Sequence, residues 1–387
     1  MRLPAKDPFN RAFATASASN CAQAVLRALL GCLFLLSHLS PSQAEPSGAT
    51  YGVELTFSAP SLLDPELTDR WQILQRQVNW LRTLREVIQL RCPDCVIEKL
   101  PQKDPFTTPF HLRIGPDSLA HFTTDPHVIE APTAPLSLSQ WREKAGTFQR
   151  VVFESASSAG LNPHHWVGGG HINIGAESAF DSDPIMIRNF YVTLLNHSRA
   201  LEFFGAHASQ APTWIHWAPE VRDGLTKALA SSDVELRRGM RLEDFADSIN
   251  GALESSSRGA KYQGVSLYKL TNFLPASRVI ELRFFRPPED AGTVVARLEA
   301  LDRIVSKIRS LPKGHLVPLR PTHLSAMASP RPVSHLDDLA LAAWQDLTQS
   351  HSRDLVASLT HDVDPARLEQ RLKAARCWSG LAEMAAD

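Results

Sequence analysis

The stretch Gly168-Gly169-Gly170-His171-Ile172-Asn173-Ile174-Gly175 decides the fold. Three glycines open onto a short run in which His171 and Asn173 alternate with Ile172 and Ile174. A period of two is that of a β-strand, so the imidazole and the amide share one face and the isoleucines the other. The same alternation occurs twice more. Upstream, Tyr51 to Phe57 sets Val53, Leu55 and Phe57 against Gly52, Glu54 and Thr56. Downstream, Ser277 to Phe285 carries Glu281 and Arg283 between Ile280, Leu282 and Phe284. Two carboxylates and an imidazole facing one surface can hold a divalent cation, with an arginine fork nearby for phosphate. Periodicity fixes which residues share a face, not which strands are neighbours. A charged outward face of an antiparallel sheet shows the same pattern.

Around these strands the chain reads as helices of unequal length. Residues 69 to 90 repeat Trp71, Leu74, Val78, Leu81, Leu84 and Ile88 at three- and four-residue intervals, an amphipathic helix. Ser139 to Ser158 is helical with Ser139 as N-cap. Ile185 to Phe204, Pro219 to Ala230, Leu242 to Leu253 and Thr293 to Ser310 follow, with short strands at Phe110–Gly115 and Val128–Ala131. Strands interrupted by helices without regular βαβ spacing give an α+β fold, with a curved, mostly antiparallel sheet whose concave face would carry the site. Residues 45–312 form that domain. Prolines 312, 318, 321, 330 and 332 open a linker, and residues 313–387 end in a small helical appendage.

Composition bounds the rest. The 387 residues are 43% hydrophobic and 21% charged, which excludes a disordered or polytopic membrane chain. Forty basic and 41 acidic residues give a formal charge of −1, so nothing points to nucleic acid. Residues 1–44 read as a secretory signal: Arg2, Lys6, Arg11 and Arg27, an apolar run Ala28 to Leu36, then Ser42-Gln43-Ala44 before Glu45. The run is shorter than the roughly 20 residues of a membrane span, and none is expected after its removal. Leu29-Leu30-Gly31-Cys32 is a second-ranked lipoprotein signal. The expected location is therefore outside the cytoplasm, or inside it or on a tether if the signal stays uncleaved. Cys92-Pro93-Asp94-Cys95 closes a helix rather than following a strand. In an oxidising compartment this favours a local structural disulfide over a thioredoxin-type or zinc motif.

Four segments together resemble the amidoligase family, relatives of glutamate–cysteine ligase that share the glutamine-synthetase catalytic fold. Gly52-Val53-Glu54-Leu55-Thr56-Phe57 resembles its opening Gly-x-Glu-x-Glu-Phe strand. Asp125 to Leu136 is similar to its Asp-rich turn and Glu-x-x-x-x-Pro-Leu segment. Gly169 to Gly175 resembles its Gly-x-His-x-His strand, and Val279 to Phe285 its Glu-x-Arg strand. The four stand in family order across residues 51 to 310. The resemblance implies ATP-dependent amide or peptide bond formation on a small-molecule or peptide substrate with a carboxylate and an amine. It implies that Glu54, His171 and Glu281 hold magnesium on the nucleotide phosphates, and that Glu130 faces the acidic substrate or a second metal. Arg283 would stabilise the transferred phosphoryl, with Asn173 near the nucleotide. Phosphoryl transfer needs little beyond such positioning and charge neutralisation.

Two positions depart from the family pattern. Thr56 replaces a second carboxylate, and Asn173 a second histidine. The first metal site is complete and the second is weakened. An exported compartment is also poor in ATP. A second reading is therefore an exported, catalytically decayed protein that uses the same fold and one metal to bind a peptide or cell-wall fragment. A metallohydrolase ranks last, because no His-Glu-x-x-His helix is present. Lys261, Tyr262 and Lys269 are further candidates for phosphate contact. His164 and His165, the polar residues Asn196, His197 and Arg199, and the Trp214, His216 and Trp217 cluster read first as solvated or core-edge side chains.

Overall fold

The computed structural model describes residues 48–64, 69–100, 109–125, 127–163, 169–196, 217–256 and 259–319. The expected signal, the C-terminal helices, His164, His165, His197, Arg199, Trp214, His216 and Cys377 lie outside them. The described residues show the α+β class and the antiparallel sheet that the sequence suggests. Its strands are β1 (Thr50–Phe57), β2 (Cys95–Lys99), β3 (Phe110–Ile114), β4 (Asp117–Asp125) and β5 (Val128–Pro132). They are joined by β6 (Leu136–Ser137), β7 (Ile172–Gly175), β8 (Val265–Ser266) and β9 (Val279–Leu282). Every pairing is antiparallel, in the order β2-β3-β4-β5-β1-β7-β9-β8, with β6 on the start of β1.

Register sorts the side chains into two faces. Phe110, Leu112, Phe122, Ile129, Ala131, Val53, Leu55, Phe57, Ile172, Ile174, Ile280 and Leu282 are buried on one face. The other face is polar along its whole width. Glu98 pairs His111, His111 pairs His121, Thr123 and Thr56 both pair Glu130, and Asn173 pairs both Gly52 and Glu281. Burying one face drives the sheet against helices, while the polar face is left for ligands.

The helices on the apolar side are α1 (Arg70–Arg91), α2 (Leu138–Phe148), continued by a π turn and α3 (Glu154–Ser158), α4 (Ala176–Phe180), α5 (Pro184–Asn196) and α9 (Ala291–Arg309). Side-chain caps satisfy orphan N–H groups at four of these helices, with Asp183 accepting from Ile185 N at the start of α5. Asp69 accepts from Gln72 N at 2.9 Å and Asp290 from Thr293 N at 2.6 Å. At α2 the cap is Ser137, in a reciprocal box with Gln140, and not Ser139. Two buried polar groups in the core are paired through Tyr51: its hydroxyl donates to Asp302 at 2.8 Å, and the Trp141 indole donates to its carbonyl at 3.0 Å. The α1 stripe differs from expectation at one end, because Trp71 is exposed while Gln77 is buried. Gln77 donates to the carbonyls of Asp125 and Val128, fixing the β4–β5 turn.

On the polar side a second helical group covers one end of the sheet. α6 (Pro219–Leu236) packs on α7 (Leu242–Leu253), and the single turn α8 (Tyr268–Thr271) packs on both α7 and β9. Arg278 ties this group down through Glu243 at 2.7 Å. Beyond α9, residues 315–318 are held to α5. Asn189 donates to the His315 carbonyl and accepts from Val317 N, both at 2.8 Å, and Asn196 donates to the Pro318 carbonyl at 2.9 Å. Cys92 and Cys95 are bonded as a disulfide where α1 gives way to β2. No helix among the described residues is long and apolar enough to cross a membrane.

Candidate functional site

The three strands singled out by alternation are neighbours, with β7 between β1 and β9. That adjacency assembles the site. Glu54 N donates to the His171 carbonyl at 2.8 Å, and Asn173 stands directly opposite Glu281. The ligand atoms of Glu54, His171 and Glu281 lie within 4.8 Å of one another. His171 Nδ1 is 2.7 Å from Glu54 Oε1. The side chains are 17% exposed at Glu54, 13% at His171 and 2% at Glu281, so the cluster opens to solvent on the β1 side.

Glycines allow the strands to approach this closely. A Cβ at Gly170 would sit 2.2 Å from the Arg286 carbonyl oxygen, and one at Gly169 would sit 2.5 Å from His171 Nε2. Thr56 secures the same segment by donating to the Gly169 carbonyl at 3.0 Å. Its hydroxyl therefore serves the glycine turn, at the position where the amidoligase pattern has a carboxylate.

The donor set fits a divalent cation. Two buried atoms in it, His171 Nδ1 and Glu281 Oε2, have no hydrogen-bond partner despite short contacts. An unsatisfied buried polar atom is costly, and two in one cluster suit an ion held by carboxylate and imidazole donors. Cations already crowd Glu281. Lys269 Nζ is 2.8 Å from its Oε1 and 3.1 Å from Asn173 Oδ1. Arg283 Nη1 is 3.1 Å from Oε2, without the alignment of a hydrogen bond.

These charges set the carboxylates apart. Burial works to raise Glu281, but Arg283 and Lys269 outweigh it and hold the carboxyl below its ordinary range. Burial also opposes ionisation of Glu54, and its contact with His171, followed by Arg283 and Lys269, overcomes that. Glu130, one strand over, goes the other way. Burial, then the charges of Glu54 and Asp125, push it up to about 8. Asp125 is raised as well, by burial and by Glu54. The result is an ionised pair beside a protonated acid, which is how one site divides acid and base roles.

The structure brings Glu54, His171, Glu281, Asn173 and Arg283 together. Glu130 joins them from β5. Lys261 is exposed; it overlies the Tyr262 ring at 5.1 Å, as Arg283 does at 5.3 Å, and its charge also acts on Asp125. Sequence reasoning overlooked Asp125 as a site residue, and with it His111 and His121 further along the face. The signal existed: His121, Thr123 and Asp125 alternate with Ala120, Phe122 and Thr124. His121 is lowered by burial and by His111. Trp217, taken as core edge, is buried and donates to Gln263 at 2.6 Å.

No family model matches the chain, and no curated protein does. Among solved structures, GmaS without ligand matches with a TM-score of 0.40 and 12% identity, over 87% of this chain and 70% of that one. GmaS in complex with ADP matches with a TM-score of 0.39 and 14% identity over the same shares.

Proposed function

We propose that this protein is an ATP- and magnesium-dependent carboxylate–amine ligase acting on an amino acid or peptide-like substrate. The observation that carries the reading is the convergence of Glu54, His171 and Glu281 within 4.8 Å, with Lys269 and Arg283 against the same carboxylate. Glu54, His171 and Glu281 would hold magnesium, which supplies charge neutralisation at the nucleotide phosphates. A substrate carboxylate would take the terminal phosphoryl of ATP and release ADP. An amine would then displace phosphate from the acyl carbon and lose its proton. Arg283 and Lys269 would neutralise charge on the phosphoryl oxygens in flight. Glu130, protonated near neutral pH, would donate a hydrogen bond to the substrate carboxylate, where an ionised acid would repel it.

Two observations favour the second reading, an exported binding protein on a decayed ligase fold. The Thr56 hydroxyl is committed to Gly169, and Lys269 already bridges Asn173 and Glu281. Hydroxylamine separates the two readings, because it intercepts an acyl phosphate as a hydroxamate. Purified protein with ATP, magnesium, hydroxylamine and a panel of amino acids and short peptides should release ADP and hydroxamate in step. Glu281→Gln should abolish both. A folded protein that yields neither across the panel would shift the assignment to the binding protein.

A further inference from the structure

We propose that Lys269 is a resident cation of this site, competing with a divalent metal ion for Glu281. The inference rests on the reading that the cluster holds such an ion. Lys269 comes from α8, a single turn inserted between β8 and β9, and not from the strands that carry the ligands. Its ammonium bridges Glu281 Oε1 and Asn173 Oδ1 at 2.8 and 3.1 Å. Those two residues are directly opposite in the β7–β9 register, so their oxygens form a claw set by the sheet itself. Arg283 stands on the second oxygen of Glu281. One carboxylate thus faces two positive side chains, and a divalent ion brought to it would meet a monovalent cation already bonded.

The two cannot keep the same oxygen at full strength, because like charges a few ångströms apart repel in a shielded site. Lys269 is the partner able to leave. Its side chain is 23% exposed on a flexible four-carbon stem, whereas Glu281 is 2% exposed and fixed in the sheet.

The test is binding of manganese(II) alone, followed by electron paramagnetic resonance on the full chain. Wild type, Lys269→Gln, Lys269→Arg and Glu281→Gln are compared, with circular dichroism and melting temperature as fold controls. Lys269→Gln should bind manganese at least tenfold more tightly than wild type. Lys269→Arg, which keeps the charge, should stay within about threefold of it, and Glu281→Gln should lose the site. Equal or weaker binding by a folded Lys269→Gln protein overturns the competition while leaving a metal site in place. No binding by wild type or Lys269→Gln overturns both the competition and the metal reading. Tighter metal binding by Lys269→Gln, with no hydroxamate formed by the wild type in the hydroxylamine assay, keeps the inference and removes the ligase.

Discussion

Glu130 makes stability depend on pH in a direction opposite to that of most carboxylates. Its ordinary value is 4.5, and burial beside Glu54 and Asp125 raises it to about 8 in the folded chain. A raised acid favours folding in its protonated form. Its contribution is therefore complete below about pH 4.5 and is lost as pH rises through about 8. At about 1.4 kcal/mol per unit of displacement, the full shift bounds that contribution at about 5 kcal/mol. Glu54 shares the proton balance and water reaches the groove, so the expected loss between pH 5 and pH 9 is about 2 kcal/mol. Glu130→Gln keeps the shape of the protonated acid and cannot ionise. Urea denaturation with chelator present, at pH 5, 7 and 9, should give wild type and variant similar stabilities at pH 5. The variant should then lead by about 2 kcal/mol at pH 9. Asp125, raised for the same reasons, leaves a smaller slope in the variant. Parallel curves across that range would refute the placement of Glu130 against Glu54.

The glycine pair separates fold from site. Gly170→Ala would drive a methyl to 2.2 Å from a backbone carbonyl that cannot retreat, so the protein should lose several kcal/mol or fail to fold. Gly169→Ala meets only the tip of His171 at 2.5 Å; it should fold, while manganese affinity drops at least tenfold. Replacing Cys92 and Cys95 together by serine opens a very short loop and should cost no more than about 2 kcal/mol in denaturation. Metal binding should not change in that variant, because β2 is at the far edge of the sheet.

The site was legible wherever a strand alternated cleanly. Glu54, His171, Asn173, Glu281 and Arg283 were found because isoleucines, valines and leucines flank them at a period of two. What the period could not supply was strand order, which depends on contacts between distant parts of the chain. β4 escaped notice because its polar and apolar positions are mixed by Ala120 and Thr124, and because a register shift at Leu112 and Arg113 breaks its pairing with β3. β2 is an edge strand with exposed Val96, so only weak hydrophobic patterning marks it. At α2 the reciprocal Ser137–Gln140 box, two residues before the expected cap, set the start. α6 runs on to Leu236, past Ser231 and Ser232, because Ser232 is buried and donates to Ser248 rather than ending the helix. Lys269 was visible as a lysine but not as a partner of Glu281, since its role follows from where α8 docks.

The central claim is that Glu54, His171 and Glu281 hold magnesium for ATP. Thermal unfolding of the full chain with ATP and magnesium, ATP with chelator, and magnesium alone tests it most directly. The account predicts stabilisation by about 2.7 kcal/mol at a hundredfold excess over the dissociation constant. Magnesium and ATP together should stabilise more than either alone, and the joint gain should be absent in Glu281→Gln. A folded wild-type protein whose unfolding does not respond to magnesium and ATP together would contradict it.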